Sequence, residues 1–237
     1  MNRDDFCRVY WDYFLVLEKD MLNIERYVSF DLGDNAVYDS SNCSDFGNSL
    51  CFSNEFVKQY QTICSEVDVI LKTICREIMC SSKASNMTHY TEIVLKHQNM
   101  WNGLPLQDVK IQKTGIILKP FSNWRCSPNY HAPDWFPIYN HVKHDRTNHS
   151  RDANLKNTLN ALAGLYLLEV YFVKYIADRD NNILKHKNEW SYDSDIPDVP
   201  NDTSKLFEAI NFQTRYRVTG RDIYSIPNDL IDALFNK

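Results

Sequence analysis

One stretch of the chain constrains everything around it. Leu155, Leu159, Leu162, Tyr166, Val170, Val173 and Ile176 recur at steps of three and four, which puts them on one face of an α-helix. Lys156, Asn157, Asn160, Glu169 and Lys174 interrupt the run, so it reads as a core helix over about Ser150–Asp178 and not as a membrane span. Ala161, Ala163 and Gly164 lie on adjacent faces, where small residues let a neighbouring helix approach closely. A helix this apolar needs other elements to cover it.

Two further stretches repeat the pattern. Phe6, Tyr10, Tyr13, Phe14, Leu17, Met21, Ile24 and Val28 predict one helix over Asp4–Val28. Val57, Tyr60, Cys64, Val67, Leu71, Ile74 and Ile78 predict another, with Ser53 as its N-cap and Glu55 in its first turn. A shorter helix is expected over Thr88–Met100. The period then changes: Asp108–Pro120 carries Val109 and Ile111, then Ile116, Ile117 and Leu118, around Lys113-Thr114-Gly115, the pattern of a β-hairpin. Pro128 and Pro133 punctuate the next loop, and Asp134 stands where it can cap a short helix running to Asp145.

The rest is less regular. Ser29–Cys51 dissolves into Asp, Asn, Ser and Gly and reads as a long loop. Beyond Asp178, Ile196-Pro197-Asp198-Val199-Pro200 reads as a linker or loop, and the tail holds only short pieces at Leu206–Phe212, Arg215–Ile226 and Asn228–Phe235. With 6 Gly and 8 Pro in 237 residues, turns are too few for a β-sandwich. No Gly-x-Gly-x-x-Gly or Walker loop exists either. The expected fold is mainly α: a helical bundle over residues 1–178 with a β-hairpin inserted near 108–119, then a C-terminal extension over 179–237.

A net charge of −5 excludes a general polyanion binder, so contact with nucleic acid needs a local basic island. The opening Met-Asn-Arg-Asp-Asp carries acids where an export signal needs bases, and with seven cysteines and no Cys-x-x-Cys a cytoplasmic protein with reduced, mostly buried thiols is expected. No cofactor, metal or membrane is expected. His89 and His97 lack the His-Glu-x-x-His spacing and read as surface histidines, and no Gly-x-Ser-x-Gly elbow or Ser-His-Asp arrangement is present. Trp101, Trp124 and Trp190 fall in loops, where they either cover the edge of a core or stack bases. Lys185-His186-Lys187 is a short solvated basic run.

The island lies between His141 and Arg151. Lys143, Arg146 and Arg151 face one acid, Asp145, and His141, His144 and His149 share the same eleven residues. On the short helix Trp135, Ile138, Tyr139 and Val142 share a core-facing side, while Asn140, Lys143 and His144 share another. The beginning of the long helix adds free N–H groups and the positive end of its dipole, which favour a phosphate. Alternatively the Lys and Arg pair with Asp134, Asp145 and Asp152 as a solvated corner. His141 and His144 are one turn apart, but no nearby Cys or Glu completes a metal site.

The run Tyr139-Asn140-x-x-Lys143-His144-Asp145-Arg146, with the step through Ala153-Asn154-Leu155 into the long helix, resembles the prokaryotic HEPN superfamily, in particular its defence-associated members, over about residues 134–177. The resemblance implies an up-and-down four-helix bundle that pairs as a homodimer. It also implies a metal-independent endoribonuclease of a toxin or anti-phage system, with RNA as substrate and an antitoxin or defence protein as partner. On that reading His144, Arg146 and His149 are the catalytic set, and Asn140, Lys143 and Arg151 bind substrate. An imidazole moves the proton of a ribose 2′-OH or of the leaving oxygen, and a guanidinium grips the phosphate.

Family members place the His four to six residues after the Arg. Here only two residues separate Arg146 from His149, and His144 precedes Arg146, while Arg125 and His131, which have the formal spacing, lie in a loop. The alternative is a non-catalytic HEPN-like module that binds RNA, a nucleotide or a partner protein.

Overall fold

The computed structural model describes residues 1–33, 47–96, 100–219 and 222–226. It is mainly helical, with two small antiparallel sheets. The helices are α1 (Arg3–Phe6), α2 (Asp12–Ile24), α3 (Asn54–Ile78), α4 (Met87–Val94), α5 (Trp135–His144), α6 (Arg146–His149) and α7 (Leu155–His186). The most extensive contact between helices is that of α3 with α7. By length and composition α7 could cross a membrane, yet 89 % of its most apolar window is buried within the fold.

The first expected helix is interrupted. A π-helical turn over Cys7–Trp11 joins α1 to α2, and its wider turn rotates the apolar stripe. Cys7 and Trp11 are therefore buried, whereas Tyr13, expected inside, is 39 % exposed. Ser53 caps α3 as expected, its Oγ accepting from the Phe56 N–H at 3.1 Å. The helix expected over Thr88–Met100 is shorter: Asn86 caps α4, and a 3₁₀ turn occupies Met100–Leu106.

The hairpin forms from β1 (Val109–Ile111) and β2 (Ile117–Leu118), with Val109 opposite Leu118. Its other edge is taken by β3 (Phe207–Ala209) from the tail, giving the order β2-β1-β3. The division at residue 178 therefore needs correction on two counts. It cuts through α7, and part of the tail is integral to the fold. Of the linker or loop expected at Ile196–Pro200, a loop is found, and Asp198, Val199 and Pro200 in it are buried. Buried Glu18 of α2 accepts from the Lys205 and Leu206 N–H groups at 3.0 and 3.1 Å and from the Ser204 hydroxyl. The piece Arg215–Ile226 is a two-stranded ribbon, β4 (Tyr216–Thr219) with β5 (Asp222–Ser225). Asn228–Phe235, His97, Cys43 and much of the expected Ser29–Cys51 loop lie outside the described residues.

Trp101 and Trp124 are core residues, at 0 % and 1 % exposure, and only Trp190 is accessible. Cys7, Cys64 and Cys75 are buried, and burial pushes the Cys7 and Cys75 thiols up to about 11 and about 12. They remain protonated, small apolar groups.

One core group is unfavourably placed. Glu169 in the middle of α7 is 2 % exposed, and its Oε2 has no hydrogen-bond partner among the described residues. Burial drives its carboxyl well above the usual range, and the charge of Glu66 on α3 adds to that. An unfolded glutamate ionises near about pH 4.3. Above that pH the unfolded chain sheds a proton that the folded one retains, so stability falls as pH rises. Glu169→Gln should match the wild type near about pH 4 and exceed it near about pH 7 by about 1–3 kcal/mol. Urea midpoints at the two pH values check this, and identical midpoints at the higher one would refute it.

Candidate functional site

The expected site residues sit on α5, α6 and the 3₁₀ turn Ser150–Asp152 that leads into α7. Trp135 and Val142 of α5 are buried, and Ile138 and Tyr139 pack half-buried beside them, which leaves Asn140, His141, Lys143 and His144 exposed. Asp134 does not cap the helix. Its carboxylate accepts from Asn123 Nδ2 at 2.6 Å, and its backbone is already helical.

The long helix begins at Leu155, not Ser150, and its first turn is electrostatically spent. The Leu155 and Lys156 N–H groups bond to the carbonyls of Cys51 and Ser49 at 2.9 and 3.1 Å, and Asn157 N–H bonds to the Asn154 side chain at 3.0 Å. With these donors satisfied inside the protein, the first turn of α7 offers no cradle for a phosphate. Attraction for an anion must come from side chains.

Those side chains take separate partners. Arg146 donates to Gln61 Oε1 of α3 at 3.2 Å. His149 Nδ1 is 2.8 Å from Asp152 Oδ2, an acceptor, so Nδ1 carries the proton and Nε2 stays free. The His149 ring lies against that of His141, with centroids 4.9 Å apart. Among the described residues no three His, Cys, Asp or Glu converge as a metal-holding group. His144 is exposed at the end of α5. Asn148 donates to both Asp145 oxygens, at 3.1 and 2.8 Å, and these bonds hold that carboxyl below its usual range. His144, Arg146 and His149 thus share no common partner.

The substrate-binding candidates divide as well. Arg151 lies over the Phe52 ring, with Cζ 5.4 Å from its centroid. The Lys143 ammonium lies 5.4 Å over the Tyr139 ring, and no carboxylate pairs with either cation among the described residues. Asn140 and Lys143 line an open groove of about 650 Å³ together with Tyr130, His131, Phe136 and Asp68. Arg125 and His131 face each other across a two-bond antiparallel bridge of 3.0 and 2.9 Å. Arg125 is exposed, while His131 lines the groove. His131 Nδ1 meets the Ala132 carbonyl at 2.6 Å, which can only accept, and Nε2 lies 3.7 Å from Asp134.

Nothing in the sequence marks Gln61, Phe52 or Tyr130, or gives His131 its place in the groove. Gln61 and Phe52 lie far from the island along the chain, and no local spacing ties them to it.

Comparison with protein-family models, curated proteins and solved structures finds no match. The likeness to the HEPN superfamily accordingly rests on the short motif around Tyr139–Arg146 and the step into α7.

Proposed function

We propose that the chain is a HEPN-like, up-and-down helical module that holds RNA across the α5–α6 surface without cutting it. The observation that carries this reading is the pair of exposed cations mounted on aromatic rings, Lys143 on Tyr139 and Arg151 on Phe52, with no carboxylate against them among the described residues. Such cations attract the phosphate backbone, and the rings beneath hold their stems in place. Arg146, fixed by Gln61, extends the strip. Binding without cleavage is favoured because Arg146 and His149, of the set read as catalytic, are held by different partners, Gln61 and Asp152.

A second reading, metal-independent endoribonuclease, is favoured by the His149–Asp152 pair. A carboxylate on Nδ1 orients an imidazole whose Nε2 can then act as a base. Pairing with a second copy, a partner protein, and a toxin or defence role are proposals that follow from the family likeness.

Fluorescence anisotropy with labelled RNA between about 50 and 200 mM salt tests the first reading. The triple variant Lys143→Ala, Arg146→Ala, Arg151→Ala should lower the log–log salt slope by about 0.7 for each phosphate left without its cation. An unchanged slope would refute the assignment of the strip. Cleavage of RNA in chelator that Asp152→Asn and His149→Ala abolish would select the second reading.

A further inference from the structure

We infer that the groove beside α5 seats one unpaired nucleotide, so that the RNA taken by this surface is single-stranded. The inference rests on the reading of the α5–α6 strip as an RNA contact and deepens it. A nucleotide presents a flat π face, a hydrogen-bonding edge and an anionic phosphate, and one open cavity holds a counterpart to each.

Tyr130, 43 % exposed, offers its ring on one wall, and Phe136 on α5 is 7 % exposed and lines the same groove. Asn140 supplies an amide that both donates and accepts. Lys143 supplies an ammonium with no ion-paired carboxylate among the described residues, held over Tyr139, and the carboxylate in the groove lining, Asp68, is taken by Lys72 and the Tyr90 hydroxyl. His131 adds an imidazole whose Nδ1 is committed to the Ala132 carbonyl and whose Nε2 lies 3.7 Å from the Asp134 carboxylate. The cavity of about 650 Å³ falls within the range of small-ligand sites.

Continuity with the strip separates this groove from a generic polar depression. Lys143 belongs to both, lining the groove and heading the strip of Lys143, Arg146 and Arg151, so a strand held at Lys143 has the groove beside it. A duplex keeps its bases stacked inward, and only an unpaired strand can splay one onto an exposed ring.

The test uses a labelled oligouridylate of about 12 nucleotides, free and annealed to its complement. Tyr130→Ala should weaken the single strand roughly five- to hundred-fold and leave the duplex unchanged. Tyr130→Phe, which keeps the ring, should retain wild-type affinity. Matching thermal melts establish that both variants are folded. Unchanged single-strand affinity in Tyr130→Ala, with the triple strip variant still weakening both forms, overturns the groove and leaves the strip standing. Failure of the wild-type protein to bind either form overturns both. Displacement of the strand by equimolar uridine monophosphate would assign the groove to a free nucleotide and also overturn the inference.

Discussion

Asp198→Ala should destabilise the protein by about 3–5 kcal/mol, the loss expected when one member of a buried charge cluster is removed. The Asp198 side chain is fully buried. Its two oxygens accept from the Arg215 N–H at 3.0 and 2.8 Å, the Tyr216 N–H at 3.1 Å and Lys174 Nζ at 3.2 Å. Truncation leaves two backbone donors and two cations with one acceptor group fewer, in a place water does not reach. Arg215 keeps its two bonds to Asp195, both 2.9 Å, and Lys174 keeps Asp178 at 3.1 Å, so the damage falls on the entry to β4. A two-stranded ribbon is marginal alone, and this cluster joins it to α7. The expected result is a lowered urea midpoint together with early proteolysis between Arg215 and Ile226. A loss under about 1 kcal/mol would equate the cluster with an exposed ion pair and refute its structural role.

Trp135→Ala should be comparably severe, about 3–5 kcal/mol, and should also impair RNA binding. Trp135 is fully buried, its Nε1 donates to the Pro120 carbonyl at 2.8 Å, and Tyr60 of α3 donates to its own carbonyl. These bonds fix α5, the helix that presents Asn140 and Lys143. The indole also lies against the backbone of α7, where a Cβ added at Gly164 would sit 2.7 Å from Trp135 Cζ2 and 3.3 Å from Phe121 Cζ. In a helix interior Gly→Ala ordinarily gains about 1 kcal/mol. Here the clash should reverse the sign, with overpacking losses of about 1–3 kcal/mol. The double variant discriminates: once Trp135→Ala has opened the space, Gly164→Ala should again be neutral or stabilising. If Gly164→Ala stabilises the wild-type background, α5 does not pack closely on α7.

The small residue at Gly164 shows how far a linear reading reaches. Its smallness signals a close approach by another helix, and the indole of Trp135 from α5 takes that space. Periodicity locates α3 and α7 because a buried helical face repeats every three to four residues regardless of what covers it. It places Phe6, Phe14, Leu17, Met21 and Ile24 inside as found but misses Tyr13's exposure and the burial of Cys7 and Trp11, because one π-helical turn shifts the register without any mark in the composition. It starts α7 too early because Arg146–Asp152 is as polar as a first helical turn should be, and only Asn154's capping bond fixes where that helix starts.

Local sequence determined the helical class, the hairpin, the Ser53 cap and the concentration of cations and imidazoles between residues 141 and 151, since each depends on spacing within a few residues. The tertiary structure alone decided which of those groups meet. It paired His149 with Asp152, gave Arg146 to Gln61, brought His131 into one groove with Asn140 and Lys143, and drew the tail into the sheet as β3. Contacts between residues distant along the chain carry no spacing signature, because they are selected by the burial of whole faces and by the satisfaction of buried polar groups.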